Sequence, residues 1–217
     1  MNLLNEDKTL QVNVYGHCCS NTFNNCYILG TDFKDRAAPH EAVIIDPGYL
    51  DESILKFIED NEYSLLGVLV THDHTKLQGI KSLKRIYNTE IFAVNQNIYG
   101  YKTVMIRDKD FLDIGPFRFE VMTVPGHTPD SVVFRFGHIL FTGDVLSAGL
   151  VGYTSSAYSA ATQMNALQSK IFSLFGDFTI LPCHGPPSSL EAERYFNIGF
   201  RRYNQNKNRP RRLFDSF

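Results

Sequence analysis

The chain lacks several things that would have settled its class early. No apolar run approaches the roughly 18 residues that would span a membrane. The first eleven residues are polar, with Glu6 and Asp7 among them, and lack the charged-then-apolar shape of a signal peptide. A cytoplasmic protein without membrane contact is expected. There is no excess of one charge. Lys and Arg number 21 and Asp and Glu 23, a net of −2, so no global basic field draws nucleic acid to the chain. The four cysteines, Cys18, Cys19, Cys26 and Cys183, form neither a CxxC pair nor zinc-finger spacing. They are expected as free thiols, with small buried side chains the reading for the first three. No low-complexity stretch, clear linker or obvious repeat divides the chain.

What is present is ordinary for a folded protein. The 217 residues are 43% hydrophobic and 20% charged, enough for one large α/β domain with a real core. Strands are expected at residues 10–15, 25–29, 42–45, 65–70, 90–94, 117–124, 131–136, 139–141 and 178–181. The run at 65–70 is continuously apolar, as in a strand buried on both faces. Helices are expected around residues 54–58 with Asp51 as cap, and at 77–87, 160–175 and 190–196. Each half runs strands first and helices after. Two sheets packed face to face with helices outside satisfy that order.

Four histidines and one aspartate fall at comparable places. His72 and His74 follow one apolar run, and His127, Asp144 and His184 follow three others. Ligands of α/β sheets gather at such carboxyl ends. His72 and His74 are two apart, so in an extended segment they point the same way. Imidazoles completed by a carboxylate suit zinc, with iron or manganese as alternatives. A lone histidine after a strand is more often structural, but five such positions together argue for a metal site.

The surrounding motifs carry a resemblance. Thr71-His72-Asp73-His74 resembles the opening of the HxHxDH signature of metallo-β-lactamase-fold proteins. Pro125-Gly126-His127-Thr128-Pro129-Asp130-Ser131, Thr142-Gly143-Asp144 and His184-Gly185-Pro186 are similar to their third-histidine, bridging-aspartate and last-histidine motifs. Ile45-Asp46-Pro47-Gly48 resembles the early motif whose aspartate supports a metal histidine from behind. Order and spacing match over roughly residues 10–197, and PPSSLEAER at 186–194 resembles the ending of glyoxalase II-like short hydrolases.

The resemblance implies a four-layer αββα sandwich, two mixed β-sheets flanked by helices, as a single α/β domain over 1–217 with a basic C-terminal extension at about 200–217. It implies a first metal position at His72, His74, His127 and Asp144, and a second that includes His184. The chain departs from the signature where it should continue with Asp and His, because Lys76 and Leu77 stand there. Leucine cannot ligate, and a lysine ammonium opposes a dication. Two placements of Lys76 are open: near the vacated position, pairing with Asp144 or His184, or extended to water. One metal ion, zinc foremost, is therefore expected, with His184 released to act as acid or base beside Lys76.

Three readings follow. The first is a metal-dependent hydrolase of a small ester or thioester. The second is an iron oxidoreductase like the persulfide dioxygenases, with His72, His127 and Asp144 as ligands. The third is a non-catalytic metal-binding relative. Two further departures bear on the pocket: Gly152-Tyr153-Thr154 lacks the arginine that related hydrolases often carry, and Cys183 replaces a usual glycine. Cys183 is expected to be buried and inert. His40 and His138 are expected to be exposed, and His17 to lie in a loop. The basic residues between Arg201 and Arg212 are expected to form a solvated extension rather than a nucleic-acid contact.

Overall fold

The computed structural model describes residues 1–7, 11–32, 40–73 and 78–207. His74, Lys76 and Leu77 lie outside them, as does most of the expected loop at 31–40. The first half holds β1 (Asn2–Asp7), β2 (Val12–Cys18), β3 (Asn25–Thr31), β4 (Glu41–Ile45), α1 (Glu52–Asp60), β5 (Ser64–Leu69), α2 (Gly79–Ile86) and β6 (Glu90–Ala93). A small hairpin of β7 (Asn97–Ile98) and β8 (Tyr101–Lys102) follows, then β9 (Val104–Met105). These strands form a sheet in the order β1-β2-β3-β4-β5-β6-β9. It is antiparallel up to β4 and parallel beyond it.

The second half holds β10 (Phe111–Ile114), β11 (Phe117–Thr123), β12 (Val132–Phe136) and β13 (Ile139–Gly143). After them come the hairpin β14 (Leu146–Ser147) and β15 (Leu150–Val151), α3 (Ala157–Ala166), β16 (Thr179–Pro182), β17 (Ser188–Ser189), α4 (Leu190–Phe196) and α5 (Ile198–Lys207). The second sheet runs β10-β11-β12-β13-β16-β17, with only β13 and β16 parallel.

Alternation along the strands builds the layers. Tyr27, Leu29, Val43 and Ile45 meet Phe117, Phe119, Val121, Phe134 and Phe141 in one core between the sheets. The intervening residues Ile28, Ala42 and Ile44 pack outward against Ile54 and Ile58 of α1 and Ile80 and Leu83 of α2. On the other side Val133, Leu140 and Ile180 pack against Leu167, Ile171 and Leu190. Three apolar layers between four polypeptide layers make an αββα sandwich.

Asp51 caps α1 as expected, its carboxylate accepting from the Ile54 amide at 3.1 Å. The helix expected at 160–175 starts earlier, at Ala157, because Ser156 accepts from the Ser159 amide. It then widens into a π-helical turn at Leu167–Ile171. Lys170 in that turn reaches Asp108 at 2.7 Å and the Thr123 carbonyl at 2.9 Å, which ties the turn to the end of β11.

Three expectations need correction. His17 is not in a loop: it lies on β2 opposite Cys26, with Nε2 2.6 Å from Asp51. His40 is half-buried, its Nδ1 3.1 Å from the Asn61 carbonyl. Cys18 is exposed rather than buried. Residues Ile198–Lys207, within the expected solvated extension, form a helix whose Phe200 stacks on Phe172 with ring centroids 4.1 Å apart. Arg201 and Arg202 remain exposed on it. No described helix is long and apolar enough to cross a membrane.

Candidate metal centre

The ends of β4, β5, β11, β13 and β16 converge on one edge of the sandwich. They deliver Asp46, His72, His127, Asp144 and His184 respectively. Asp144 is the hub. Its Oδ2 lies 3.6 Å from Nε2 of His72 and 3.6 Å from Nε2 of His127. Its Oδ1 lies 2.6 Å from Nδ1 of His184. The His72 and His127 rings stand almost perpendicular, at 80°, with centroids 5.0 Å apart.

Each ring is oriented by what holds its other nitrogen. Nδ1 of His127 donates to the Tyr153 carbonyl at 2.9 Å. Nδ1 of His72 sits 2.9 Å from the Thr71 hydroxyl, which itself donates to Asp46 at 2.7 Å. The Thr71 amide donates to the other Asp46 oxygen at 2.8 Å. The support that the sequence assigns to Asp46 therefore reaches His72 through Thr71. With both Nδ1 atoms engaged, both Nε2 atoms face the same carboxylate oxygen.

Two glycines permit these approaches. Gly143 has φ +53, and a Cβ there would fall 2.4 Å from the Thr71 hydroxyl. A Cβ on Gly152 would fall 2.0 Å from the Asp144 carbonyl oxygen, so only glycine lets the next residue, Tyr153, reach His127.

Other residues, which the motif reading does not assign, pin the loops. Asp130 accepts from the Asp73 amide at 2.8 Å and from Asn95 at 3.1 Å, joining the loops of His72 and His127. Tyr27 donates to the Pro182 carbonyl at 2.7 Å, and Asn25 to the carbonyls of Pro182 and Gly185 at 2.9 and 2.7 Å. These bonds fix the turn that carries His184.

The donor set fits a metal ion. Zinc takes nitrogen at about 2.0–2.1 Å and carboxylate oxygen at about 2.0–2.2 Å, which sets tetrahedral ligands about 3.4 Å apart. The 3.6 Å separations from Oδ2 are within small adjustments of that. The ligand atoms of His72, His127 and Asp144 all lie within 4.8 Å of one another. Among the described residues, Asp144, Cys183 and His184 form a second such group.

Charge in the site is mutually supporting. Burial raises the pKa of Asp144, but contacts with His184 and His72 outweigh it and hold the carboxyl well below the usual range. Burial opposes a charge on His72, yet Asp144 and Asp46 overcome it and its pKa is raised. Burial pushes Asp46 up, offset in part by His72 and Thr71. The Cys183 thiol is pushed well up by burial, with Asp46 and Asp144 adding to the effect.

The His72 shift gives a pH prediction. An ion that binds Nε2 must displace a proton wherever the pH lies below the raised pKa. Apparent metal affinity is therefore expected to climb as pH rises from below the ordinary histidine value of 6.5, and to level off above the raised value. Competition titrations with a metal indicator at several pH values test this. A flat profile through that range contradicts it.

No family model matches the chain. The hydroxyacylglutathione hydrolase of Francisella tularensis subsp. novicida is 33% identical over 168 residues, covering 72% of this chain and 66% of that protein. The chain thus spans just under two thirds of the length of the Francisella hydroxyacylglutathione hydrolases it matches. Among solved structures, the BLEG-1 B3 metallo-β-lactamase superposes with a TM-score of 0.72 at 21% identity, over 86% of this chain and 99% of that one. ETHE1 from Myxococcus xanthus gives 0.72 at 24%, over 91% and 92%. At these identities the structural likeness is one of fold, and it agrees with the αββα layers and the strand-end site. The chain belongs to the metallo-β-lactamase superfamily.

Proposed function

We propose that this protein is a metal-dependent hydrolase of a small ester or thioester, with one zinc ion held by His72, His127 and Asp144. The observation that carries this is the pair of Nε2 atoms at the same 3.6 Å distance from one carboxylate oxygen. His74, outside the described residues, is the further ligand that the motif implies. The name of the Francisella relatives, hydroxyacylglutathione hydrolase, supports a thioester as the substrate class.

The bound ion supplies Lewis acidity, polarising a carbonyl and making a water nucleophile available near neutral pH. The chain's own residues supply position and protons. Thr71 and the Tyr153 carbonyl fix the two imidazoles, so little reorganisation is needed at the ion. His184 keeps Nδ1 on Asp144, which leaves Nε2 to exchange a proton with the substrate. Its side chain is 37% exposed, so solvent reaches it. Lys76 belongs to the same reading as the charge that stands in for a missing second ion.

A second reading has one observation in its favour. His72, His127 and Asp144 match the two imidazoles and one carboxylate that non-haem iron oxygenases use, with His74 lying outside the described residues. An iron-dependent, persulfide dioxygenase-like oxidoreductase fits that set if His74 stays off the ion.

Elemental analysis of protein purified without added metal, followed by thioester and persulfide assays, separates the two. One zinc per chain with thioester turnover is the expected result. One iron with oxygen consumption on a persulfide establishes the second reading in its place. A metal-bound protein inert in both assays overturns both.

A further inference from the structure

A cavity of about 290 Å³ is bordered by α3, by the segment that leaves β15 and by α5. Val151, Ala160, Ala161, Met164 and Tyr203 supply most of its wall, and none of the described residues lining it is charged. It adjoins the metal centre. Gly152 and Thr154 also line it, and they flank Tyr153, whose carbonyl holds Nδ1 of His127 at 2.9 Å. Gln163 of α3 completes the lining and packs on the loop of the same histidine. A Cβ on Gly126, the residue before His127, would fall 2.3 Å from Cβ of Gln163.

One polar group in this wall is only half used. Gln163 is 2% exposed, and its Nε2 donates to the Gly152 carbonyl at 2.9 Å. A carbonyl can only accept, so the amide cannot be turned round and the atom left over is the oxygen. Gln163 Oε1 has no hydrogen-bond partner among the described residues. Buried acceptors are almost always paired, so an unpaired one in a cavity wall points to a donor from outside the chain.

We propose that this cavity binds an uncharged aliphatic group carrying one N–H or O–H donor, which Gln163 Oε1 accepts. The assignment of that group to the substrate rests on the hydrolase reading: it is the end of the ester or thioester remote from the carbonyl that is cleaved. A thiol with free carboxylates, such as glutathione, does not fit the cavity.

The wall decides the class of ligand. A carboxylate or ammonium seated against it would lose hydration without gaining a counter-charge. Methylene groups against Val151 and Met164 gain from leaving water. The volume lies at the lower edge of the roughly 300–1,000 Å³ usual for ligand pockets, so it holds a short chain and not a whole large molecule.

The frame is held before any ligand arrives. A Cβ on Gly199 would fall 2.3 Å from Val151, so glycine lets α5 close against β15. The Tyr203 hydroxyl lies 2.5 Å from Oδ1 of Asn165, to which it donates, tying α5 to α3. Walls fixed in this way need little ordering on binding.

The test uses the full chain loaded with zinc and, as probe, N-butylacetamide, a short aliphatic chain with one amide N–H. Saturable backbone NMR shifts are expected at Gly152, Thr154, Ala160 and Ala161. N-butyl-N-methylacetamide lacks the donor and is expected to bind about tenfold more weakly. Butanoate, which brings a carboxylate, is expected not to bind there. Ala161 is exposed on α3, so Ala161→Phe fills the cavity from outside and is expected to abolish the shifts with metal content unchanged. The proposal is overturned if N-butylacetamide leaves these signals in place, if the methylated amide binds equally well, or if butanoate binds as tightly.

Turnover is a separate arm. The acetyl thioester of N-acetylcysteamine carries the amide on its thiol side, and S-methyl 4-acetamidobutanethioate carries it on its acyl side. Ala161→Phe is expected to raise KM about tenfold for one of them, which identifies the end that enters, and to leave the smaller S-methyl thioacetate unaffected. Binding of N-butylacetamide without cleavage of any thioester supports the cavity and overturns the hydrolase reading. Cleavage of all three with KM unchanged by Ala161→Phe overturns the assignment of the cavity to the substrate.

Discussion

Asp144→Asn is expected to lower metal affinity and turnover together, by two to four orders of magnitude. Asp144 places one oxygen 3.6 Å from two imidazoles and the other 2.6 Å from a third. The substitution keeps the shape and removes the charge. Breaking a buried charged set by altering one member costs about 3–5 kcal/mol, which converts to roughly 10²–10⁴ in rate or affinity. Three consequences add in the same direction. The ion loses its only anionic ligand among the described histidine group. The asparagine amide presents a donor where an acceptor is required. His184 loses the acceptor that orients its proton. Metal content after dialysis, together with thioester turnover at saturating zinc, measures the effect. A variant that retains full metal content and wild-type turnover would remove Asp144 from the centre of the site.

This expectation follows from a site whose chemistry is concentrated in a few residue types, and that explains what could be read from the sequence. Ligating residues are restricted by element and charge, so His72, His127, Asp144 and His184 stand out at strand ends even without coordinates. The strands were legible because burial imposes a pattern on them. Val43 and Ile45 face the inner core, while Ala42 and Ile44 face the helices, so β4 is apolar from Ala42 to Ile45. The two-residue strands β7, β8, β9, β14, β15 and β17 carry no period long enough to recognise. The helix α5 was hidden by its charge: its basic residues suggest solvent, whereas the single ring of Phe200 decides the packing.

The residues that hold the ligands were hardest to see. Tyr153 acts through its carbonyl, a group every residue has. Asn25 and Tyr27 reach Pro182 across more than 150 positions of sequence. Thr71 sat inside a quoted motif, but nothing in the motif shows that its hydroxyl stands between Asp46 and His72.

That hydroxyl is the basis of the second large effect. Asp46→Asn is expected to cost about 10–100-fold in metal affinity, with a much smaller change in folding stability. Asp46 is 2% exposed and has φ +49, a conformation that asparagine tolerates well. In the native arrangement the carboxylate can only accept, so the Thr71 hydroxyl must donate to it at 2.7 Å. The hydroxyl's proton is then committed, and its lone pair receives Nδ1–H of His72 at 2.9 Å. This fixes the tautomer in which Nε2 carries no proton and can bind an ion. An asparagine can instead keep its carbonyl on the Thr71 amide and turn its NH₂ towards the hydroxyl. The hydroxyl then accepts from that NH₂ and donates to Nδ1 of His72, which places the ring proton on Nε2, against Asp144 and in the position of the ion. Metal binding must first undo that tautomer. Thr71→Val removes the relay without reversing it, so its loss is expected to be the smaller of the two. Nitrogen NMR of the histidine rings in metal-free protein should show Nδ1–H for His72 in the wild type and Nε2–H in Asp46→Asn. An unchanged tautomer with unchanged affinity would show that the chain from Asp46 through Thr71 supports the fold alone.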